Sequence, residues 1–358
     1  MTMSYLLYIG VLAICWLLAF QADRRNNKFF VGLIILLLTL VTGLRDSSVG
    51  LDTKSYVEKF SLIASGQSEY AYGLESSFKY ICAFFLKIFP SYSVLLGILG
   101  LITNGCIIWR LWDFRNVASF SCMVSCYYMG FFFMSLNGIR QFCAIAILLF
   151  ATRYLIKHKY LRYIVLVFAA SAFHQSALIG LPFLVFELLR WKLLSTRQKV
   201  LFIGLALTSP VILLYSIQRL SRYAGYFEQF RVDIGLMVPL KIVFFLATAA
   251  FVFLIYGRDR HFWNWEEMTT EDKSKMLLSG ICYFIGLLLI FTSYFFPMMN
   301  RVGWFFTIYE GIYMGMLVKT RKPMHKLIFI YSVLFLQGYA FIDSMINNAQ
   351  GVMPYVLA

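Results

Sequence analysis

Hydrophobic residues along this chain fall into continuous blocks of roughly 16–22 residues, the length a helix needs to cross a bilayer core. The blocks do not alternate apolar with polar residues as barrel strands do. In lipid every backbone N–H and C=O must be paired internally, so unbroken runs predict spanning helices. Twelve such spans are expected, at 4–20, 29–43, 92–109, 117–136, 139–156, 160–174, 176–190, 199–218, 238–256, 276–297, 302–318 and 327–345. The pair 160–174 and 176–190 meets at Phe173-His174-Gln175-Ser176, with basic residues on both outer flanks. That predicts a tight hairpin with His174 at its tip.

Two segments break the pattern, 44–91 and 219–237. Within the first, Leu74, Phe78, Ile81, Phe85 and Ile88 recur at steps of three and four, predicting an amphipathic helix over 74–89 that ends at Pro90. Glu75 and Lys79 have the spacing of an i,i+4 ion pair. The second carries Arg219, Arg222, Tyr223, Tyr226 and Arg231. No internal repeat and no polar stretch long enough for a soluble domain interrupts the spans. The expectation is one all-α, polytopic integral membrane domain over 1–358.

Composition agrees. The chain is 61% hydrophobic and 14% charged, with mean hydropathy +0.74, against about 45–50% and about 25% in soluble domains. The net charge of +15 would raise nucleic acid as a partner of a soluble protein. Here its distribution favours membrane topology instead. With Arg24, Arg25 and Lys28 placed inside, 21 of the 32 Lys and Arg fall in inner loops, as the positive-inside rule requires. Arg45, Lys54, Lys59, Lys79, Lys87, Arg140, Arg219, Arg222, Arg231, Lys241 and Arg301 fall on the disfavoured outer side. The seven cysteines sit in apolar surroundings without a CxxC, so packing is expected rather than a disulfide framework or zinc site. The first block lacks a basic n-region and a cleavage site, and reads as a retained helix.

The outer polar residues are the candidates for chemistry. Arg45 opens a stretch rich in glycine, charge and hydroxyls that runs to Tyr56. It reads either as a solvated loop or as a folded lip over a polar site, with Gly50 allowing a tight turn and Asp52 and Thr53 capping the next helix. Arg140, in Asn137-Gly138-Ile139-Arg140-Gln141, stands between two apolar runs. Such a charge either snorkels to the headgroups or faces a bundle cavity, where a guanidinium near a helix N-terminus suits phosphate. Arg301 repeats the situation. His174 is either a satisfied structural histidine or a general base. No second ligand stands at metal spacing beside it.

Gly43-Leu44-Arg45, Val49-Gly50-Leu51-Asp52-Thr53-Lys54-Ser55-Tyr56, Glu75-Ser76-Ser77-Phe78, Asn137-Gly138-Ile139-Arg140-Gln141 and Phe173-His174-Gln175-Ser176, in this order, resemble the EpsG family, the Wzy-type polymerases of bacterial exopolysaccharide, capsule and O-antigen. The resemblance covers the first half of the chain best. It implies a GT-C-like membrane glycosyltransferase of the bacterial inner (cytoplasmic) membrane, facing the periplasm, that uses no metal or other cofactor. The substrate implied is an oligosaccharide repeat unit on undecaprenyl diphosphate. A chain-length regulator and a flippase are the implied partners. On this reading His174, then Asp52, takes the acceptor proton. Arg140, Arg301 and then Arg45 hold the diphosphate. Tyr56, Glu75, Gln141 and Thr53 bind or position the sugars. A flippase or transporter, a glycan ligase and a non-catalytic assembly subunit are the rival readings. A transporter would place its charges near the bilayer midplane; this sequence keeps them at one face.

Overall fold

A computed structural model describes residues 2–188, 236–256, 268–320 and 323–358. It is all-α, apart from one isolated backbone bridge between Arg45 and Leu357. In α1 (Thr2–Arg25) the buried residues Ser4, Tyr8, Val11, Cys15, Ala19 and Ala22 form a single stripe at steps of three and four. The stripe packs on α2 (Lys28–Gly43) and α6 (Phe120–Tyr127), while Leu6, Ile9, Ile14, Trp16, Leu17 and Phe20 face outward. An apolar outer face of this extent fits lipid rather than water. Helix α2 packs closely on α5 (Tyr92–Asp113): a Cβ on Gly43 would stand 2.8 Å from the Gly97 Cα. Helix α8 (Ile139–Ile156) lies at the centre, packed on α5 and on α9 (Tyr160–Phe173).

Five helices among the described residues are long and apolar enough to cross a membrane: Thr2–Arg25, Tyr92–Asp113, Ile139–Ile156, Thr270–Thr292 and Pro323–Ile346. This is the pattern of a multi-pass membrane protein, but it corrects the expected twelve spans. Several hydropathy blocks are shorter or broken as helices. The 117–136 block is assembled from α6, a π turn at Tyr128–Phe132 and α7 (Phe133–Asn137). The 176–190 block begins as a 3-10 turn, Gln175–Gly180, before α10 (Leu181–Leu188). The 302–318 block is divided between Met298–Thr307 and Glu310–Val318. Lys28–Gly43, Tyr160–Phe173 and Met237–Phe251 are apolar but short. The 199–218 span and almost all of the 219–237 segment lie outside the described residues.

The two ends of the bundle differ in how their charges are met. At one end the Arg115 Nε donates to Asn26 Oδ1 (3.2 Å), the Lys319 ammonium to the Arg115 carbonyl, and Asp113 accepts from Arg110 (3.2 Å) and pairs with Arg153 (3.5 Å). These are residues expected on the inner side, gathered together. Helix α2 runs from this end to the other and α8 runs back, so that Arg45, after α2, and Arg140, in the first turn of α8, both lie at the opposite end.

Candidate functional site

The stretch after α2 is a folded lip. Its backbone is laced to the C-terminal segment: Asp46 N–H donates to Val356 O (2.8 Å), Gly50 N–H to Gly351 O (2.7 Å) and Ala358 N–H to Leu44 O (2.9 Å). Gly50 turns the chain at φ +103, a conformation that favours glycine. Helix α3 (Thr53–Ala64) follows with Asp52 at its N-cap, but no side-chain cap bond forms. The Thr53 hydroxyl instead donates back to Val49 O (2.7 Å) and is fully buried. The expected capping by these two residues is therefore replaced by a turn bond within the lip.

Helix α4 (Ser76–Ile88) is the expected amphipathic helix. Its buried face is Leu74, Phe78, Cys82 and Leu86, rotated from the expected one. Ile81 and Phe85 are half-buried and Ile88 is exposed. The Ser77 hydroxyl donates to Ala172 O (2.7 Å), docking the start of α4 against the end of α9. This contact brings Glu75 next to His174. The expected Glu75–Lys79 pair does not form: Lys79 donates to Ser68 O (2.7 Å), and Glu75 turns to stronger partners.

Those partners are Arg140 and His174. The Arg140 Nη1 donates to Glu75 Oε2, its Nε donates to the Tyr56 hydroxyl (3.2 Å), and its guanidinium lies 5.9 Å from the centres of both the Tyr56 and Phe78 rings. The His174 Nδ1 is 2.8 Å from Glu75 Oε1. His174 itself is extended, at the turn that ends α9. Burial alone would raise the Glu75 carboxyl, but the His174 hydrogen bond and the Arg140 charge outweigh it and hold the group below its ordinary value. Burial pushes the Tyr56 phenol up, opposed by Arg140. It therefore remains a protonated hydroxyl whose own O–H is free to donate.

In front of this group lies a cavity of about 320 Å³ lined by Asp52, Tyr56, Arg140, Gln141, His174 and Arg301, joined by Ser55, Lys59, Asn137, Trp304 and Gln350. Six residues singled out from the sequence thus border one space. Gln141 spans it, its amide donating to the Arg301 carbonyl (2.7 Å). Asn137 accepts from Asp52 N–H (3.3 Å) and donates to the Gln350 carbonyl and side-chain oxygen (both 2.9 Å). Glu75 stands behind the wall rather than on it. Among the described residues no ion pair engages Arg301 or Lys59.

Arg45 is elsewhere. It is fully buried, its Nη2 donating to Leu136 O (2.8 Å), in a separate void of about 10 Å³ with Thr42, Thr103, Asn104 and Ser135. That space suits about one water, and Arg45 does not border the larger cavity. Thr53 is likewise sealed from the cavity. Trp304 and Gln350 were not singled out by sequence, while Lys59 was noted only as an outer-side cation and Ser55 only within a motif, neither with a role at a site. For the latter two a signal existed, because Asp52, Ser55, Tyr56 and Lys59 follow the i, i+3, i+4, i+7 spacing of one helix face.

Fold and site together define a multi-pass membrane protein with a cationic, histidine-bearing cavity at one end of its bundle. The sequence profile of the EpsG family matches residues 28–357, and the chain belongs to this family, which is implicated in exopolysaccharide biosynthesis. No curated protein and no solved structure matches it significantly.

Proposed function

We propose that this protein is a Wzy-type polysaccharide polymerase, acting at the periplasmic face of the bacterial inner membrane. It moves a growing glycan from undecaprenyl diphosphate onto the sugar of a new lipid-linked repeat unit. The observation that carries the reading is the cavity at one end of the bundle, where a carboxylate-held imidazole faces cations without carboxylate partners. Family membership supports the same substrate class. In the transfer, an acceptor hydroxyl oxygen attacks the anomeric carbon of the donor glycan. The bond from that carbon to the diphosphate oxygen breaks, and undecaprenyl diphosphate leaves with the electron pair. The hydroxyl proton passes to His174, with Asp52 the second choice of base. Arg301, Lys59 and the free edge of Arg140 stabilise the charge that grows on the leaving group. Tyr56 and Gln141 offer polar contacts to sugar, and Trp304 an aromatic face.

The test is purified protein in nanodiscs supplied with a lipid-diphosphate repeat unit and scored for a ladder of products. Arg301→Ala and Arg140→Ala are expected to lower turnover by about 10²–10³-fold, the usual cost of removing one such donor, at unchanged protein level. A full ladder from both variants refutes the assignment of these cations. Movement of the lipid-linked unit between leaflets without any new glycosidic bond refutes the polymerase.

A further inference from the structure

The Glu75 carboxylate joins the two groups on which the proposed chemistry depends. One oxygen meets the His174 ring at 2.8 Å and the other holds the Arg140 guanidinium, while Glu75 itself lies behind the cavity wall. Its side chain is 13% exposed, less than His174 at 24% or Arg140 at 19%. An ionised carboxylate has no proton to give, so the His174 Nδ1 must be the donor of that bond. In a neutral ring the other nitrogen then carries the lone pair.

We infer that Glu75 is a positioning residue rather than a substrate contact: it fixes His174 as the Nδ1–H tautomer, leaving Nε2 to accept a proton, and holds Arg140 against Tyr56. This deepens the polymerase reading and rests on it for the role of His174 as base. The balance of charge follows. At rest the carboxylate offsets Arg140, so the group of three is neutral. When Nε2 takes the acceptor proton, the new positive charge is met by a carboxylate already in place, with no reorganisation at the moment of transfer. The local sequence provides for this: Glu75 is the N-cap residue of α4 but spends no side-chain bond on the cap. The Ser77–Ala172 bond sets its distance from His174.

Two measurements test it. Nitrogen-15 NMR of ring-labelled wild-type protein in nanodiscs reads the tautomer directly. The chain has four histidines, and the His174 signals are identified by their loss in His174→Gln. A neutral ring protonated at Nδ1 is expected; protonation at Nε2, the form favoured by a free histidine in water, overturns the inference. In the nanodisc assay Glu75→Gln is expected to lower kcat by about 10²–10⁴-fold, the range of a general-base contribution, with a smaller rise in KM for the donor from the loosened Arg140. A variant that keeps kcat, or that alters only KM, overturns it as well. The two proposals fail separately: a wild-type protein without turnover but with the Nδ1–H ring sinks the polymerase and leaves the tautomer assignment standing. Normal wild-type turnover with the Nε2–H ring does the reverse.

Discussion

Gly50 is the position where the lip and the cavity wall depend most directly on each other, and replacing it with alanine separates strain from contact. Its φ of +103 is one that a side chain rarely adopts, and holding a non-glycine residue in such a region costs about 1–3 kcal/mol. The added Cβ would also stand 2.6 Å from Thr53 Oγ1 and 2.8 Å from Asn137 Oδ1. Neither neighbour is free to move, since the threonine hydroxyl is bonded to Val49 O and Asn137 ties Asp52 to Gln350. Losing one or two of these bonds adds about 0.5–1.5 kcal/mol each. Gly50→Ala is therefore expected to cost about 1.5–6 kcal/mol. Gly66 supplies the control, because it also has positive φ (+80) but nothing within 4 Å of a built Cβ. Gly66→Ala should show the backbone cost alone. Thermal unfolding of both variants in the same detergent gives the comparison, with turnover measured on the folded fraction. Gly50→Ala should also lower turnover, because Asp52 and Asn137 both border the cavity. A Gly50→Ala protein no less stable than Gly66→Ala would refute the argument that the lip is braced through Asn137.

Arg45→Ala removes a buried bond to Leu136 O and opens a void; thermal unfolding should show a loss of about 2–4 kcal/mol, with KM for the donor unmoved, whereas a raised KM would return Arg45 to the binding site. The Glu75 contribution has a defined pH window. Its folded value lies below the ordinary 4.5, so the stability it brings is complete above the unfolded value and is lost as pH falls through the folded one. The difference in melting temperature between wild type and Glu75→Gln should not shrink between pH 8 and pH 5 and should be lost only below about pH 4; shrinkage near pH 6 would show that the carboxyl is not held down. Lys241 pairs with the buried Glu310 at 2.9 Å, and Tyr283 donates to the same carboxylate at 2.9 Å. Lys241→Met alone should cost about 3–5 kcal/mol by stranding that charge, and adding Glu310→Gln should recover most of it in a double-mutant unfolding cycle.

Residue type and spacing made much of this arrangement legible, but only where the signal was local. Arg140, Gln141, His174 and Arg301 stand out because each is a polar group beside an apolar run, and a bilayer tolerates such groups only at cavities or interfaces; Asp52 and Tyr56 lie in a polar stretch and drew notice through its turn chemistry and motif resemblance. Hydropathy could not show how the runs are broken: the π turn at Tyr128–Phe132 is as apolar as the helices it interrupts, and the break at Gln175-Ser176, though visible, did not reveal that a 3-10 turn replaces the start of the next helix. Nor could it tell an arginine facing a ligand from one facing a carbonyl. Arg45 and Arg140 have similar neighbours in sequence, yet one is capped by Leu136 O and the other by Glu75. The Glu75–Lys79 spacing was correct for a helix pair. It lost to a charged partner from α8 and an imidazole from the α9 turn, neither visible from within α4. Gln350 had no local signal, because its place at the cavity depends on Asn137.

The charges at the two ends of the bundle have different physical meanings, and that difference favours a ligand. At the basic end Arg110, Arg115, Arg153 and Lys319 find carboxylate, amide or carbonyl acceptors within the protein. Their positive charge sets topology and is largely spent. At the cavity end Arg140 is offset by Glu75, but Arg301 and Lys59 border the same space without a carboxylate partner among the described residues. Asp52 supplies only one anionic group on that wall. A cavity with excess positive charge, partly screened from water by its walls, is electrostatically incomplete when empty. An anion carrying two or more charges at the membrane surface, with an apolar tail left in the bilayer, completes it, and a lipid diphosphate has that form.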